Sequence, residues 1–80
     1  MTRTILPLSG QVAAYLLDQP AAADGTIPLE SKLYLAGLMG TTARHVNRVF
    51  KTFETEQIIR VDRNRVTILN REALIKYTEL

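Results

Sequence analysis

The sequence has no cysteine, no tryptophan, a single histidine and no long apolar run. Without cysteine the chain can form no disulfide, thiolate zinc site or iron–sulfur cluster. No stretch approaches the ~18 apolar residues that a transmembrane helix requires, and the short apolar run at residues 5–8 does not have the pattern of a secretory signal. These absences predict a cytoplasmic protein that makes no membrane contact.

The chain is also short, with 80 residues, of which 46% are hydrophobic and 22% charged. This length allows one domain, and a domain so small buries only about 60–65% of its unfolded surface. A full core leaves little room for a catalytic cleft, and the sequence contains no glycine-rich phosphate loop and no Ser/His/Asp set. We therefore expect a binding domain and not an enzyme.

Positive charge is concentrated in one third of the chain. The net charge is +2, but residues 42–65 contain six basic and three acidic residues, whereas the remainder contains four basic and five acidic residues. A basic segment of this kind is typical of a surface that binds phosphate groups. On charge alone, an ordinary solvated surface explains the pattern equally well.

Residues 1–8 show no helical or strand period, and we expect a tail or linker remnant there, followed by one domain at residues 9–80. Ser9 is a suitable N-cap for a helix from Gly10 to about Gln19. The apolar stripe of that helix predicts a buried face formed by Val12, Ala13, Leu16 and Leu17.

The next segment predicts a short strand and a second helix. Residues 26–29 form an apolar run that is typical of a minor strand. The helix should begin at Glu30 or Ser31 and end at Met39. Gly40 follows, where helices often end in the left-handed conformation that glycine adopts freely. The inward face of this helix is predicted to contain Leu35, Leu38 and Met39.

The third predicted helix, from Thr41 or Thr42 to about Glu56, has two chemically different sides. At 100° per residue, four apolar residues fall within about 100° of one another: Val46, Val49, Phe50 and Phe53. Three cations with i, i+4, i+7 spacing lie on the opposite side: Arg44, Arg48 and Lys51, here called the basic face. One helix is therefore predicted to contact the core and to present positive charge outward.

The last third of the chain predicts a β-hairpin and a final helix. Two β-branched runs, residues 58–62 and 65–69, flank a short polar turn, which is typical of a hairpin. Asn70 is a suitable cap for a helix over residues 71–78. The order of elements predicts a mainly α fold with a small β-hairpin, in the α+β class. The predicted fold is a winged helix-turn-helix with a three-helix core, a wing at residues 58–69 and an extra C-terminal helix.

A helix with these two sides is suited to reading DNA. The major groove of B-DNA is about 12 Å wide and admits one α-helix. Arginine can pair bidentately with guanine, and asparagine with adenine. The residues predicted to contact base edges are Ala43, Arg44, Asn47 and Arg48.

Further polar residues are predicted to hold the phosphate backbone. Hydroxyl and amide groups at a helix start bind phosphate oxygens. Cations that contact phosphates make DNA binding sensitive to salt. The predicted phosphate ligands are Thr41, Thr42, His45, Lys51, Arg63, Asn64 and Arg65. His45 has no acidic or cysteine partner at ligand spacing, so we predict no metal site.

These residues resemble the C-terminal domain of the Crp/Fnr regulators, the cyclic-AMP receptor protein family, over residues 11–74. The most specific similarity is at residues 35–42, with a leucine–alanine pair, a turn glycine and a threonine helix start. Residues 46–49 then match the family's Val-x-Arg-Ile/Val pattern. The resemblance implies a bacterial transcription regulator whose recognition helix, at about residues 42–55, lies in the major groove while the wing contacts the backbone.

The resemblance also implies individual roles. Arg48 matches the characteristic arginine of the recognition helix, and Thr42 matches a backbone-contacting Ser/Thr. Ala43 and Arg44 depart from the arginine–glutamate pair of the cyclic-AMP receptor protein, so the operator sequence should differ. Gln57 stands where many members have glycine, which implies either a strained left-handed residue or a differently built turn.

The family places an effector-binding β-barrel and a long dimerisation helix before this domain, and neither fits into residues 1–8. We therefore expect the DNA-binding half of a homodimeric regulator, monomeric by itself, with no cofactor bound by this chain. Its expected partner is double-stranded DNA, with RNA polymerase as a further partner of the parent protein. The alternative is a winged helix that binds an acidic protein through the basic face.

Overall fold

Four helices and three short strands make up residues 6–79, which the computed structural model describes. In chain order they are α1 (Leu8–Asp18), β1 (Thr26–Pro28), α2 (Lys32–Met39), α3 (Ala43–Thr55), β2 (Ile59–Asp62), β3 (Arg65–Ile68) and α4 (Arg71–Tyr77). The order and type of these elements, and the α+β class, confirm the sequence prediction. Residues 1–5, most of the predicted tail, lie outside the described range.

The first helix begins two residues earlier than predicted. Its N-cap is Pro7, whose carbonyl oxygen accepts a hydrogen bond from the Gln11 amide at 2.9 Å. Leu8 packs against the core, and this contact favours extending the helix past Ser9. The prediction of Ser9 as the N-cap and of Leu8 as part of a tail is therefore wrong.

Close packing of α1 against α4 depends on a residue without a side chain. A Cβ atom at Gly10 would lie 2.7 Å from the carbonyl oxygen of Tyr77. Such a separation is shorter than van der Waals contact allows, so any larger residue would push the two helices apart. Gly10 thus lets the first and last helices of the domain meet.

The core joins the apolar sides of all four helices to one side of the sheet. Its fully or nearly fully buried members are Val12, Ala13, Leu16, Ile27, Leu35, Ala36, Val46, Phe50, Phe53, Ile58, Ile59, Val66 and Leu74. The predicted core face of α3 is confirmed, with Val46, Phe50 and Phe53 buried and Val49 half-buried. These three buried residues anchor α3 and fix which of its sides points outward.

The prediction for α2 is wrong at Leu38, which is 58% exposed. Leu35 and Ala36 are buried and lie about 100° apart around the helix axis. The buried side is centred between them, and Leu38 lies about 60° beyond Leu35 on the far side. Because α2 has only eight residues, spacing alone could not decide which of two overlapping apolar stripes meets α3.

The turn between α2 and α3 is as short as predicted. Gly40 has φ +68, in the left-handed region, and the amide of Thr41 donates to the Ala36 carbonyl at 2.9 Å. Thr42 caps α3, because its Oγ1 accepts a hydrogen bond from the His45 amide at 3.3 Å. The reversal leaves a single residue between the glycine and the cap, so α3 starts directly beside the end of α2.

The three strands form one antiparallel sheet in the order β1-β3-β2. In the wing hairpin, Val61 of β2 pairs with Val66 of β3. Strand β1 lies on the other side of β3, where Ile27 also pairs with Val66. Sequence analysis predicted each strand but not the β1–β3 pairing. The pairing attaches the wing to the segment that precedes α2.

A left-handed residue joins α3 to the wing. Gln57 has φ +58. Of the two alternatives expected at this position, a strained left-handed residue or a differently built turn, the chain therefore adopts the strained residue. The Ile58 amide donates to the Phe53 carbonyl at 2.8 Å, and the Gln57 amide donates to the Glu54 carbonyl at 3.0 Å. These two bonds form a Schellman motif, the helix ending in which glycine is most favourable.

The last helix closes the core behind α3. Asn70 caps it as predicted, accepting from the Ala73 amide at 3.1 Å. The Tyr77 ring lies 4.9 Å from the Phe53 ring, and its hydroxyl donates to Glu56 at 3.0 Å. This hydrogen bond is the main reason that the pKa of Tyr77 is raised.

Neither α4 nor any other helix within residues 6–79 has the length and apolarity needed to cross a bilayer.

Candidate nucleic-acid interface

The basic face of α3 is exposed along its whole length. Arg44, Arg48 and Lys51 lie on the side opposite the buried Phe50 and Phe53. They border an open groove whose lining residues are Arg44, Asn47, Arg48, Lys51, Thr52, Thr55 and Glu56. The wing does not cover these cations, so the helix presents the two-sided character predicted from the sequence.

Polar groups gather at the N-terminus of α3. The Thr41 hydroxyl and the Nδ1 atom of His45 are 3.1 Å apart, which is hydrogen-bond distance. Thr42 and His45 are exposed, and Thr41 is half-buried. The structure thus brings these three predicted phosphate ligands together, beside the amides of the first turn, where the helix dipole favours an anion.

The predicted base reader Asn47 has a partner within the protein. It is half-buried, and its Oδ1 accepts a hydrogen bond from Nζ of Lys32 at 3.0 Å. The Lys32 ammonium also lies 5.4 Å from the centre of the Phe50 ring, within range of a cation–π contact. Sequence reasoning missed Lys32, since the two residues are fifteen positions apart and no local pattern pairs them.

Lys32 also borders a second groove, between α2 and the wing. The groove is lined by Leu29, Glu30, Ser31, Lys32, Val61, Arg63 and Asn64. A hydrogen bond of 2.8 Å from the Leu29 amide to the Asn64 carbonyl holds the wing turn against the approach to α2. Lys32 therefore borders the groove beside the wing turn and contacts Asn47, which lines the groove on α3.

The three predicted wing residues fall in two different environments. Arg63 and Asn64 form the exposed two-residue turn, between Asp62 and Arg65, which pair with each other. Arg63 has φ +57, so its backbone is strained while its side chain projects at the turn. These two residues occupy the wing tip that the sequence predicted.

Arg65 is instead tied to the neighbouring strand. Its Nε donates to Oγ1 of Thr26 at 2.6 Å, and that hydroxyl donates to Oδ1 of Asp24 at 2.7 Å. The hydrogen bonds from Thr26, together with the nearby Arg65 charge, lower the pKa of Asp24. The Nε donor of Arg65 is therefore engaged within the sheet, and its terminal nitrogens remain for an external anion.

Comparisons with known proteins agree with this geometry. The family model of the Crp-like helix-turn-helix domain matches residues 10–77. FixK2 from Bradyrhizobium japonicum superposes with a TM-score of 0.84 at 22% identity, over 92% of this chain and 39% of FixK2. A CRP-family transcriptional regulator from Thermus thermophilus gives a TM-score of 0.79 at 20% identity, over 95% of this chain and 42% of that protein. A search of curated protein sequences gave no significant match.

The two structural neighbours establish the fold, and the chain spans about two fifths of the length of each. The matched family segment runs from α1 to the end of α4 and contains the basic face, the glycine turn and the wing. The resemblance seen in the sequence is thereby confirmed, and the chain belongs to the family of Crp-like helix-turn-helix domains.

Proposed function

We propose that this chain binds double-stranded DNA in a sequence-specific manner, as the DNA-reading domain of a Crp/Fnr-type transcription regulator. The observation that carries the proposal is the two-sided α3: Phe50 and Phe53 are fully buried on one side, and Arg44 and Arg48 are exposed on the other. A helix anchored in this way fits the major groove and keeps its basic side against the bases.

Within this proposal, base edges are read by residues in the first two turns of α3. Arg48 and Arg44 have exposed guanidinium groups that suit guanine, which offers two acceptors in the major groove. Ala43 is half-buried and leaves space beside them for an apolar contact to a thymine methyl. Asn47 contributes through its side-chain amide, whose oxygen accepts from Lys32.

Phosphate contacts then flank the bases on both sides. Thr41, Thr42 and His45 hold one phosphate at the start of α3, and Lys51 holds another farther along the helix. Arg63 and Asn64 contact the backbone from the wing turn, with Arg65 behind them in a lesser role. Such contacts position the protein without carrying sequence information.

The parent protein would be a homodimer that places two copies of this domain on one operator. Half-sites in helix-turn-helix dimers lie one helical turn of DNA apart, and joining two weak binders raises their affinity through effective concentration. The two neighbours, more than twice as long as this chain, have room for such additional parts. An effector-sensing domain and contact with RNA polymerase belong to this same proposal.

The test is selection of bound duplexes from a random pool by the 80-residue chain at low salt. We expect an enriched sequence, and an association constant that falls with salt by about 0.9 log units per log unit for each phosphate contact. Enrichment of no sequence would overturn the proposal. The alternative, a protein-binding winged helix, would be supported if the chain bound no duplex but bound an acidic protein through the basic face.

A further inference from the structure

The Lys32–Asn47 hydrogen bond determines which atoms of Asn47 face outward. An ammonium group has three donors and no acceptor, so only the amide oxygen of Asn47 can face it. The observed pair is Nζ to Oδ1 at 3.0 Å. The Nδ2 group, with its two donors, is consequently the part of the amide left to face the groove that Asn47 lines with Arg44 and Arg48.

Several contacts keep Lys32 in this position. It is the first residue of α2, which is capped by Ser31 through a 3.1 Å hydrogen bond from the Tyr34 amide. Its side chain is half-buried, and its ammonium lies 5.4 Å from the ring centre of the fully buried Phe50. The backbone of Lys32 thus belongs to α2 while its ammonium contacts two residues of α3, so the hydrogen bond to Asn47 joins the two helices.

We propose that Lys32 is a specificity-determining positioning residue that makes Asn47 a donor-only reader of the major groove. This inference rests on the proposed DNA reading by α3. Adenine recognition by asparagine needs the amide oxygen to accept from N6 while the amide nitrogen donates to N7. With the oxygen directed at Lys32, the Nδ2 donors meet acceptors, which guanine supplies at both O6 and N7.

Adenine at this position is disfavoured for the same reason. Nδ2 can donate to its N7, but its N6 amino group is a donor that meets another donor and is left without a partner, so adenine offers one acceptor where guanine offers two. The expected preference is guanine over adenine at the base pair that Asn47 reads. This reverses the adenine preference that an unpaired asparagine would show.

The experiment compares Lys32→Met with the wild-type chain in selections from a random duplex pool. Methionine retains an apolar stem of similar length but lacks the donor, so the Asn47 oxygen becomes available. We expect the preference to shift from guanine towards adenine by about fivefold or more at one base pair, the range of a bidentate amide–adenine contact. An Asn47→Ala variant identifies that base pair, because its selectivity there is lost.

Lys51→Met is the matched control, since it removes one positive charge beside the same groove but leaves the Lys32–Asn47 hydrogen bond in place. It should weaken binding to all sequences alike and leave base preference unchanged. In the double variant Lys32→Met/Asn47→Ala the shift towards adenine should vanish. An equal shift in Lys51→Met, or persistence of the shift without Asn47, would overturn the inference.

A measurement on the free protein addresses the hydrogen bond itself. The side-chain amide NMR signals of Asn47 should move clearly further in Lys32→Met than in Lys51→Met, with both spectra retaining the dispersion of a folded domain. Unmoved Asn47 signals in Lys32→Met would refute the inference. If the wild-type chain selects a sequence and Lys32→Met selects the same one, only this inference fails. If the wild-type chain selects nothing, the proposed function fails and the inference falls with it.

Discussion

Helix α3 and the wing each carry three cations, and the two sets have different surroundings. On α3, Arg44, Arg48 and Lys51 all lie exposed on one side. In the wing, Arg63 projects at the turn, whereas Arg65 donates to Thr26 on the neighbouring strand. The third wing cation, Arg60, is exposed in β2 and pairs across the sheet with Thr67.

The difference follows from the range of the interactions that orient each side chain. In a helix, residues four apart share a side, so anchoring the apolar residues orients all the cations together. In a hairpin, successive side chains alternate between the two sides, and each acquires partners from whichever strand lies beside it. A cation in the wing therefore belongs to the interface only if no neighbouring strand engages its donors.

The largest expected effect comes from removing the anchor that orients the helix. Phe50→Ala should lower the free energy of unfolding by about 3–5 kcal/mol, since a fully buried ring is deleted. Because so small a domain is only marginally stable, the variant should be largely unfolded at about 25 °C by circular dichroism. Leu33→Ala is the control: Leu33 is 78% exposed, so the change should stay within about 0.5 kcal/mol.

The next effect is confined to the helix side of the comparison. Arg48→Ala should weaken binding to the selected sequence by about 1–3 kcal/mol and relax base preference at one position. Its thermal unfolding should match that of the wild type, because Arg48 is exposed. Titration of the selected duplex and a single-base variant checks this, and unchanged discrimination would show that α3 is not the reading helix.

Within the wing, Arg63→Ala and Arg65→Ala should change different properties, the first DNA binding and the second stability. Arg63→Ala should reduce the salt slope of binding by about one, as expected for one lost phosphate contact, and leave stability unchanged. Arg65→Ala should instead lower stability by about 0.5–1 kcal/mol, through loss of its hydrogen bond to Thr26. Salt titrations and urea unfolding of both variants decide the matter. Equal salt slopes for the two variants would contradict the prediction that Arg63 contacts phosphate while Arg65 is held by the neighbouring strand.

The smallest effect concerns the joint between the two regions. Gln57 has φ +58, which costs a non-glycine residue about 1–2 kcal/mol, while glycine adds backbone entropy to the unfolded chain. Gln57→Gly should therefore stabilise the domain by up to about 1 kcal/mol and leave the bound sequence unchanged. A loss of stability in urea unfolding would mean that the Gln57 side chain contributes more than its backbone strain costs.

Much of the fold could be predicted because its signals are local. The threonine cap of α3, the glycine turn at Gly40 and the asparagine cap at Asn70 each depend on neighbours within four residues. The apolar period of α3 likewise predicted the buried Val46 and Phe50. Leu38 was placed wrongly, because a helix of eight residues offers two overlapping apolar stripes and only contact with α3 chooses between them.

The amino-acid sequence by itself determined the order of the elements, the outward direction of the basic face and the family to which the domain belongs. The first two follow from helical and strand periods and from caps, which act over a few residues, whereas the family follows from the resemblance over residues 11–74. Only the tertiary structure decided that β1 joins the wing, that Thr26 engages Arg65 and that Lys32 engages Asn47. Those hydrogen bonds join residues from fifteen to thirty-nine positions apart, and their formation depends on how the folded chain brings distant donors and acceptors together.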